Sequence, residues 1–262
     1  MLSERVKILS AAGLRANDVL VVVEGRDDRT ILEKMMPPLP RLRIRAVAEL
    51  LAGSTGSTSV IRIVNDVMKN EDFVVGIVDR DVVRDDESHF FEVDDVIFSR
   101  QAPFGPKVRI WTRGEIESYL IDPKAMSWLC SSCLHAGASV SPAATLAVIN
   151  DVVSAVTRFS AFNMAVRTRN RTHQDAGDEL AERWSIDQTL TLPSMDACLR
   201  AERRWSMVQH DVSRYDSKIR SMGSAAVAGT EAYVLAMLRA LDGKALFWRV
   251  VKLLKQPDKD AT

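Results

Sequence analysis

The chain has no excess charge: lysine plus arginine and aspartate plus glutamate number 35 each among its 262 residues. No global basic field announces a nucleic-acid partner, although a local basic surface beside metal-neutralised carboxylates suffices to hold phosphates. Cysteine is scarce, at three residues. Cys130 and Cys133, followed by His135, have the spacing of a zinc or redox site. No second CxxC and no strand-and-helix context of thioredoxin type accompany them, so the thiols read as buried or incidental. The histidines His89, His135, His173 and His210 are scattered, which removes a histidine-based site. No GxSxG element exists to expose a serine nucleophile. The glycine-rich turn GSTGSTS lacks the lysine of a phosphate-binding loop and reads as a lead into a helix. No apolar run approaches the length of a membrane span, and the start MLSERVKILSAAGL lacks the apolar core of a signal peptide, so a cytoplasmic protein with no membrane contact is expected. Internal repeats and low-complexity tracts are absent from the sequence, and only the tail KQPDKDAT reads as frayed.

What the sequence does have is acid at two strand ends. Glu24 and Asp28 follow the apolar run Val19 to Val23, and Asp79 and Asp81 follow Phe73 to Val78. Runs so short and so rich in β-branched residues predict strands of a parallel sheet buried on both faces. The working site of such a sheet lies beyond the carboxyl ends of its strands, where both acid groups fall. Carboxylates gathered there repel one another at neutral pH, so they need raised pKa values or a divalent cation. Oxygen-only ligands point to magnesium or manganese.

The pattern along the chain predicts a lead-in helix over residues 2–15, strands at about 18–24, 42–47 and 73–78, and two further strands at 95–98 and 108–111. Helices are expected after the first strand, ending at the prolines 37, 38 and 40, and after the GSTGSTS turn. A loop is expected over 84–92, and a short helix in TRGEIESYLIDP stopped at Pro123. Strands alternating with helices make βαβ units. Beyond residue 125 the pattern turns helical, over 143–167, 172–184, 195–212 and 231–255. The expected fold class is therefore α/β: a domain at 1–125 with a mostly parallel, Rossmann-like sheet, and a mainly helical domain at 126–262 for substrate, dimer or partner contacts.

Val-Val-Val-Glu24-Gly25, followed some fifty residues later by Asp79-Arg-Asp81 at the end of an apolar strand, resembles the TOPRIM domain shared by topoisomerases, primases and several nucleases, over roughly residues 17–123. The Glu24-to-Asp28 spacing, Glu115-Ile-Glu117 before Ser-Tyr-Leu, and Asp242-Gly-Lys244-Ala-Leu are similar to nucleases of the overcoming-lysogenization-defect type. In a short chain without its own ATPase the combination is most similar to the stand-alone TOPRIM effectors of PARIS-type anti-phage systems. The resemblance implies a toxic nuclease that cleaves nucleic acid, transfer RNA being one class of target, under the control of a separate ABC-family ATPase in trans.

Chemistry assigns these residues roles. Two magnesium or manganese ions about 3.5 to 4 Å apart hold the attacking and leaving oxygens of a phosphodiester displacement while carboxylates orient them. Glu24, Asp79 and Asp81 are the candidate ligands. Asp28, one helical turn beyond Glu24, is a candidate to complete one ion's shell, and it equally suits the first turn of a helix. Glu117 is a candidate to complete the other shell or orient water. Glu115, two residues earlier, cannot share its helix face and reads as a solvated cap. Lys244 is a candidate to stabilise charge on the phosphate, and is otherwise a solvated lysine on an amphipathic helix. Arg167, Arg169 and Arg171, and Arg203 and Arg204 beside Trp205, suit phosphate contact and base stacking, or else lie on solvated helix faces. A magnesium-dependent endonuclease is the leading expectation, and symmetric cleavage suits a homodimer. A catalytically silent TOPRIM scaffold and a receiver-like phosphoacceptor module are the alternatives.

Overall fold

The structure, a computed structural model, describes residues 3–134, 140–173, 175–180 and 191–255. It is α/β, and the described residues form two units. The first comprises Met1–Asp85 and Asp94–Thr112, the second Asp86–Val93 and Arg113–Thr262. The division thus falls at 112 rather than 125. The chain also leaves the first unit at residue 86 and returns at 94, an excursion that no composition change marks.

The first unit opens with α1 (Glu4–Ala12), whose first turn is capped by the Ser3 hydroxyl accepting from the Val6 N–H. β1 (Val19–Val23) is buried at four of its five positions, as a strand covered on both faces should be. α2 (Arg26–Met35), β2 (Leu42–Ala46), the short α3 (Val47–Leu50) and α4 (Gly56–Arg62) follow, and α4 continues as a wider π turn over Ile63–Val67. Next come β3 (Val74–Val78) and a 3-10 turn at Arg80–Val83. After α5 (Glu87–Phe90), which belongs to the second unit, α6 (Asp95–Gln101) and β4 (Val108–Ile110) complete the sheet unit.

The four strands are parallel in the order β2-β1-β3-β4, with Val21 opposite Ile44 on one side and Val75 on the other. The order reverses between β1 and β3, because β1 connects to β2 on one flank and β3 then pairs on the other. A crevice therefore opens beyond the carboxyl ends of these two strands. Leu20, Val22, Val60, Val64, Val74 and Val108 form much of the core. Gly76 in β3 permits the close approach of α4, since a Cβ there would lie 2.8 Å from Val60 Cγ1. The outer edge of β2 is blunted by its own side chains. Arg43 and Arg45 donate to the carbonyls of Leu42 and Ile44 at 3.4 and 2.9 Å, occupying acceptors that a foreign strand would need.

Two sequence expectations are corrected. Residues 95–98 are helical, not a strand. The β-branched run favours either state, but the Asp94 carboxylate accepts from Val96 and Ile97 N–H at 2.8 and 3.0 Å and caps a helix start. Pro123 begins α7 (Pro123–Leu129) instead of ending a helix, with Asp122 as its cap, a position where the missing proline N–H costs nothing.

In the second unit a 3-10 turn (Ile116–Tyr119) and α7 lead to α8 (Pro142–His173), against which α7, α9 (Leu192–Ala201), α10 (Trp205–Met222), α11 (Glu231–Met237) and α12 (Gly243–Lys255) pack. The expected helix at 143–167 lies within the unbroken α8, whereas those expected at 195–212 and 231–255 are each broken in two. α8 is the single helix among the described residues long and apolar enough to cross a membrane; 61% of its most apolar window is buried, through side chains such as Val152, Val156, Phe159 and Phe162, as a core helix requires. The expected helix at 172–184 ends at His173. Residues 175–180 lie along α8 without helical structure, tied by Asn163 at both the N–H and C=O of Leu180 (2.8 and 2.9 Å), and 181–184 lie outside the described residues, as do the tail and His135.

Candidate functional site

In the first unit the two strand-end groups meet. Glu24, the residue after β1, accepts a hydrogen bond through Oε1 from the Asp79 N–H at 3.0 Å, across the crevice between β1 and β3. This ties the carboxylate of one strand end to the backbone of the other. Both residues are partly exposed.

Asp79 and Asp81 flank an arginine that the sequence reading passed over. Arg80 is fully buried, with its guanidinium 3.9 Å from the centre of the Phe98 ring and a hydrogen bond to the Thr112 carbonyl. A charged side chain this deep persists because its donors and its ring face are both used. It anchors the turn from inside, while Asp79 and Asp81 remain partly exposed. The signal in the sequence was a basic residue enclosed between two acids, read for the acids alone. Phe98 lies in the segment whose pattern predicts a strand, and α6 instead turns its ring to the Arg80 guanidinium.

Asp28 has a local task. Its Oδ2 accepts from the Gly25 N–H at 2.8 Å, and the residue is only 9% exposed. It returns from the first turn of α2 to hold the strand-to-helix turn shut, the acid half of a capping box. Asp81 lies 3.9 Å from Arg84.

The later motifs lie in the second unit. Glu117 in the 3-10 turn and Lys244 in the first turn of α12 form an ion pair at 3.8 Å. Glu115 is no solvated cap: its Oε2 accepts from the Lys244 N–H at 3.0 Å, and Asp242 accepts from the Ala245 N–H at 2.7 Å, so two carboxylates satisfy the start of α12. Gly243 makes this approach possible. A Cβ there would lie 2.5 Å from Ser118 Oγ, and Ser118 is fully buried. The acids of the first unit and the Glu117–Lys244 pair thus belong to different units, and each is an arrangement in its own right.

Most of the candidate arginines are engaged within the helical unit. Arg169 pairs with Asp175 through two bonds of 2.9 and 3.0 Å, which hold its pKa above the usual value and that of Asp175 below. Arg167 lies 3.8 Å from Glu179, and Arg204 donates to the Asp178 carbonyl and sits 3.3 Å from Glu202. All three fasten residues 175–180 or their surroundings. Arg171 and Arg203 are exposed. Cys130 is buried, and the side chain of Cys133 lies outside those described.

Among the described residues, no three or more Asp, Glu, His or Cys side chains are gathered to hold a metal ion. Magnesium does not require such a cage, since it is commonly held by one or two carboxylates together with water and substrate phosphate. The Glu24 carboxylate beside Asp79 fits that donor set, and a closed multi-carboxylate centre is not assembled. No family model matches the chain, and neither a curated protein nor a solved structure does.

Proposed function

We infer that the chain is a magnesium-dependent phosphodiesterase of TOPRIM type acting on nucleic acid. The observation that carries the reading is the Glu24-to-Asp79 hydrogen bond at the point where the strand order reverses. Parallel sheets bind ligands at this point, and oxygen-rich side chains there suit a hard cation and the phosphate it accompanies. Glu24, Asp79 and Asp81 would hold the ion, which when bound neutralises charge on the phosphate and activates water. Arg80 keeps the Asp79–Asp81 turn in place from the interior. Asp28 fixes Gly25 and with it the direction in which the chain leaves Glu24. Glu117 and Lys244 are a separate candidate pair within the helical unit: as a compact cation, Lys244 would offset negative charge on a phosphate once the Glu117 pair opens. Control by a separate ABC-family ATPase in trans, and a role as a toxic effector in anti-phage defence, belong to the same proposal and rest on the resemblance of the motifs.

The experiment is to sequence RNA and DNA ends after induced expression of the parent and of Glu24→Gln. New ends that appear with the parent alone support the reading and identify the substrate. Identical end profiles overturn it. They would favour the second reading, a silent TOPRIM scaffold, which the lack of a gathered three-acid group among the described residues also suits.

A further inference from the structure

The sequence directs attention to arginines for substrate contact, yet Arg167, Arg169 and Arg204 are occupied inside the helical unit. A different cationic surface lies on α12. In a chain whose formal net charge is zero, the thirteen residues of this helix include Lys244, Arg249, Lys252 and Lys255 and no carboxylate. One face is apolar and committed to the core: Ala245, Leu246, Val250, Val251 and Leu254 are buried, and Arg249 is buried with them. Lys244, Trp248 and Lys252 recur at every fourth position and therefore share one other face. Trp248 is 39% exposed, large for an indole on a helix otherwise so well packed. Phe247 sets its ring, edge to face at 5.8 Å.

We propose that this face of α12 is a docking strip for single-stranded nucleic acid, with a base stacked on Trp248 and backbone phosphates beside Lys252 and Lys244. The proposal rests on the phosphodiesterase reading and adds where the substrate lies on the helical unit. Successive members of the strip are about 6 Å apart along the helix axis, a separation suited to alternating phosphate and base contacts. An aromatic between two cations serves an unstacked strand, whose bases are free to lie on a ring, better than a duplex, whose bases are already stacked. An anionic membrane is the poorer occupant, because the apolar face it would need to take up is already buried in the protein. Lys244 ends the strip at Glu117, so a strand lying along α12 would reach that candidate pair of the helical unit.

The test is fluorescence anisotropy of labelled single-stranded RNA and DNA oligonucleotides with the full chain, in chelator so that cleavage is silent, over a salt series. Trp248→Ala should bind about five- to a hundred-fold more weakly, while Trp248→Tyr, which keeps a ring, should stay near the parent. Lys252→Ala should lower the slope of log affinity against log salt by about 0.7, the value for one phosphate contact on a single strand. Parent-like affinity in both Trp248→Ala and Lys252→Ala overturns the proposal, as does a parent that prefers anionic phospholipid vesicles to oligonucleotide, or that binds no oligonucleotide at all. Cleavage measured in parallel with magnesium separates this idea from the one beneath it. A parent that cleaves while Trp248→Ala and Lys252→Ala both bind normally removes the strip and keeps the nuclease. Binding that depends on Trp248, in a parent that never cleaves, keeps the strip and removes the nuclease.

Discussion

The Glu24 carboxylate accepts the Asp79 main-chain N–H at 3.0 Å, joining the ends of two neighbouring parallel strands. Glutamine retains an oxygen that can take this bond but has no negative charge to offer a cation. Glu24→Gln should therefore keep the parent melting temperature within a few degrees and lose magnesium or manganese binding in calorimetry. Cleavage at saturating substrate should fall by several orders of magnitude, on the scale of metal-assisted charge stabilisation. Equal ion affinity in parent and variant would remove Glu24 from the ligand set.

Asp28 behaves differently, because its Oδ2 is used on the Gly25 N–H and the residue is nearly buried. Asp28→Ala should cost about 0.5–2 kcal/mol, the range for a lost helix cap, visible as a lower midpoint in urea. Asp28→Asn keeps an acceptor oxygen and should recover most of that loss. If Asp28→Ala left the midpoint unchanged but weakened ion binding, the carboxylate would be a ligand and not a cap.

Glu87 holds the excursion at 86–93 to the helical unit. Burial raises its pKa, but the hydrogen bonds from Lys218 and from Tyr215 at 2.8 Å, with the charge of Arg214, outweigh burial and leave it below the usual carboxylate value. A carboxyl depressed in the folded state adds stability above its unfolded pKa, about 4.3, and loses it as the pH falls through the lower folded value. The margin of the parent over Glu87→Gln in thermal unfolding should accordingly be full at pH 7 and shrink below about pH 4. A margin that grows on acidification would contradict the assignment.

Arg249 is buried on α12, where burial lowers its pKa to about 10 against the opposing pull of Asp242. The guanidinium stays charged at neutral pH, but holding that charge costs more in the folded protein than in the unfolded chain, and the cost is relieved only above about pH 10. It retains a bond to the Ala245 carbonyl at 3.1 Å and a place over the Phe159 ring. Replacing the whole group with an apolar one of similar length should be neutral or favourable, so Arg249→Met should melt at or above the parent temperature at pH 7. A drop of several degrees would show that the ring and carbonyl contacts outweigh the burial cost.

The sheet was legible because Val19–Val23 and Val74–Val78 contain no polar side chain, and such short apolar runs have few other folds to adopt. The placement of Glu24 and Asp79 followed from the topology rule for strand ends. Residues 95–98 were not legible, since Val-Ile-Phe suits either state and the decision lay with Asp94 just outside the run. Nor was the role of Glu115. That it caps a helix starting at Gly243 depends on a tertiary contact between distant parts of the chain, which no local pattern encodes. The engagement of Arg169 and Arg204 was hidden for a similar reason: Asp175 and the carbonyl of Asp178, which hold them, fall in a stretch whose pattern predicts a helix, and become partners only because the segment lies along α8 instead.

The excursion at 86–93 also sets an order in time. Glu87 is fastened by Tyr215 and Lys218, 128 and 131 residues later in the chain. During synthesis at about 5–20 residues per second, the strands bearing Glu24 and Asp79 leave the ribosome on the order of ten seconds before α10 does. Through that interval residues 86–93 lack the partners that later fasten them, whereas the turn bearing Asp79 and Asp81 needs only Thr112 and Phe98, which hold Arg80 and emerge within a few tens of residues. A ribosome that stalls before α10 would therefore release a sheet whose acidic turn is anchored through Arg80 but whose 86–93 excursion has nothing to hold it.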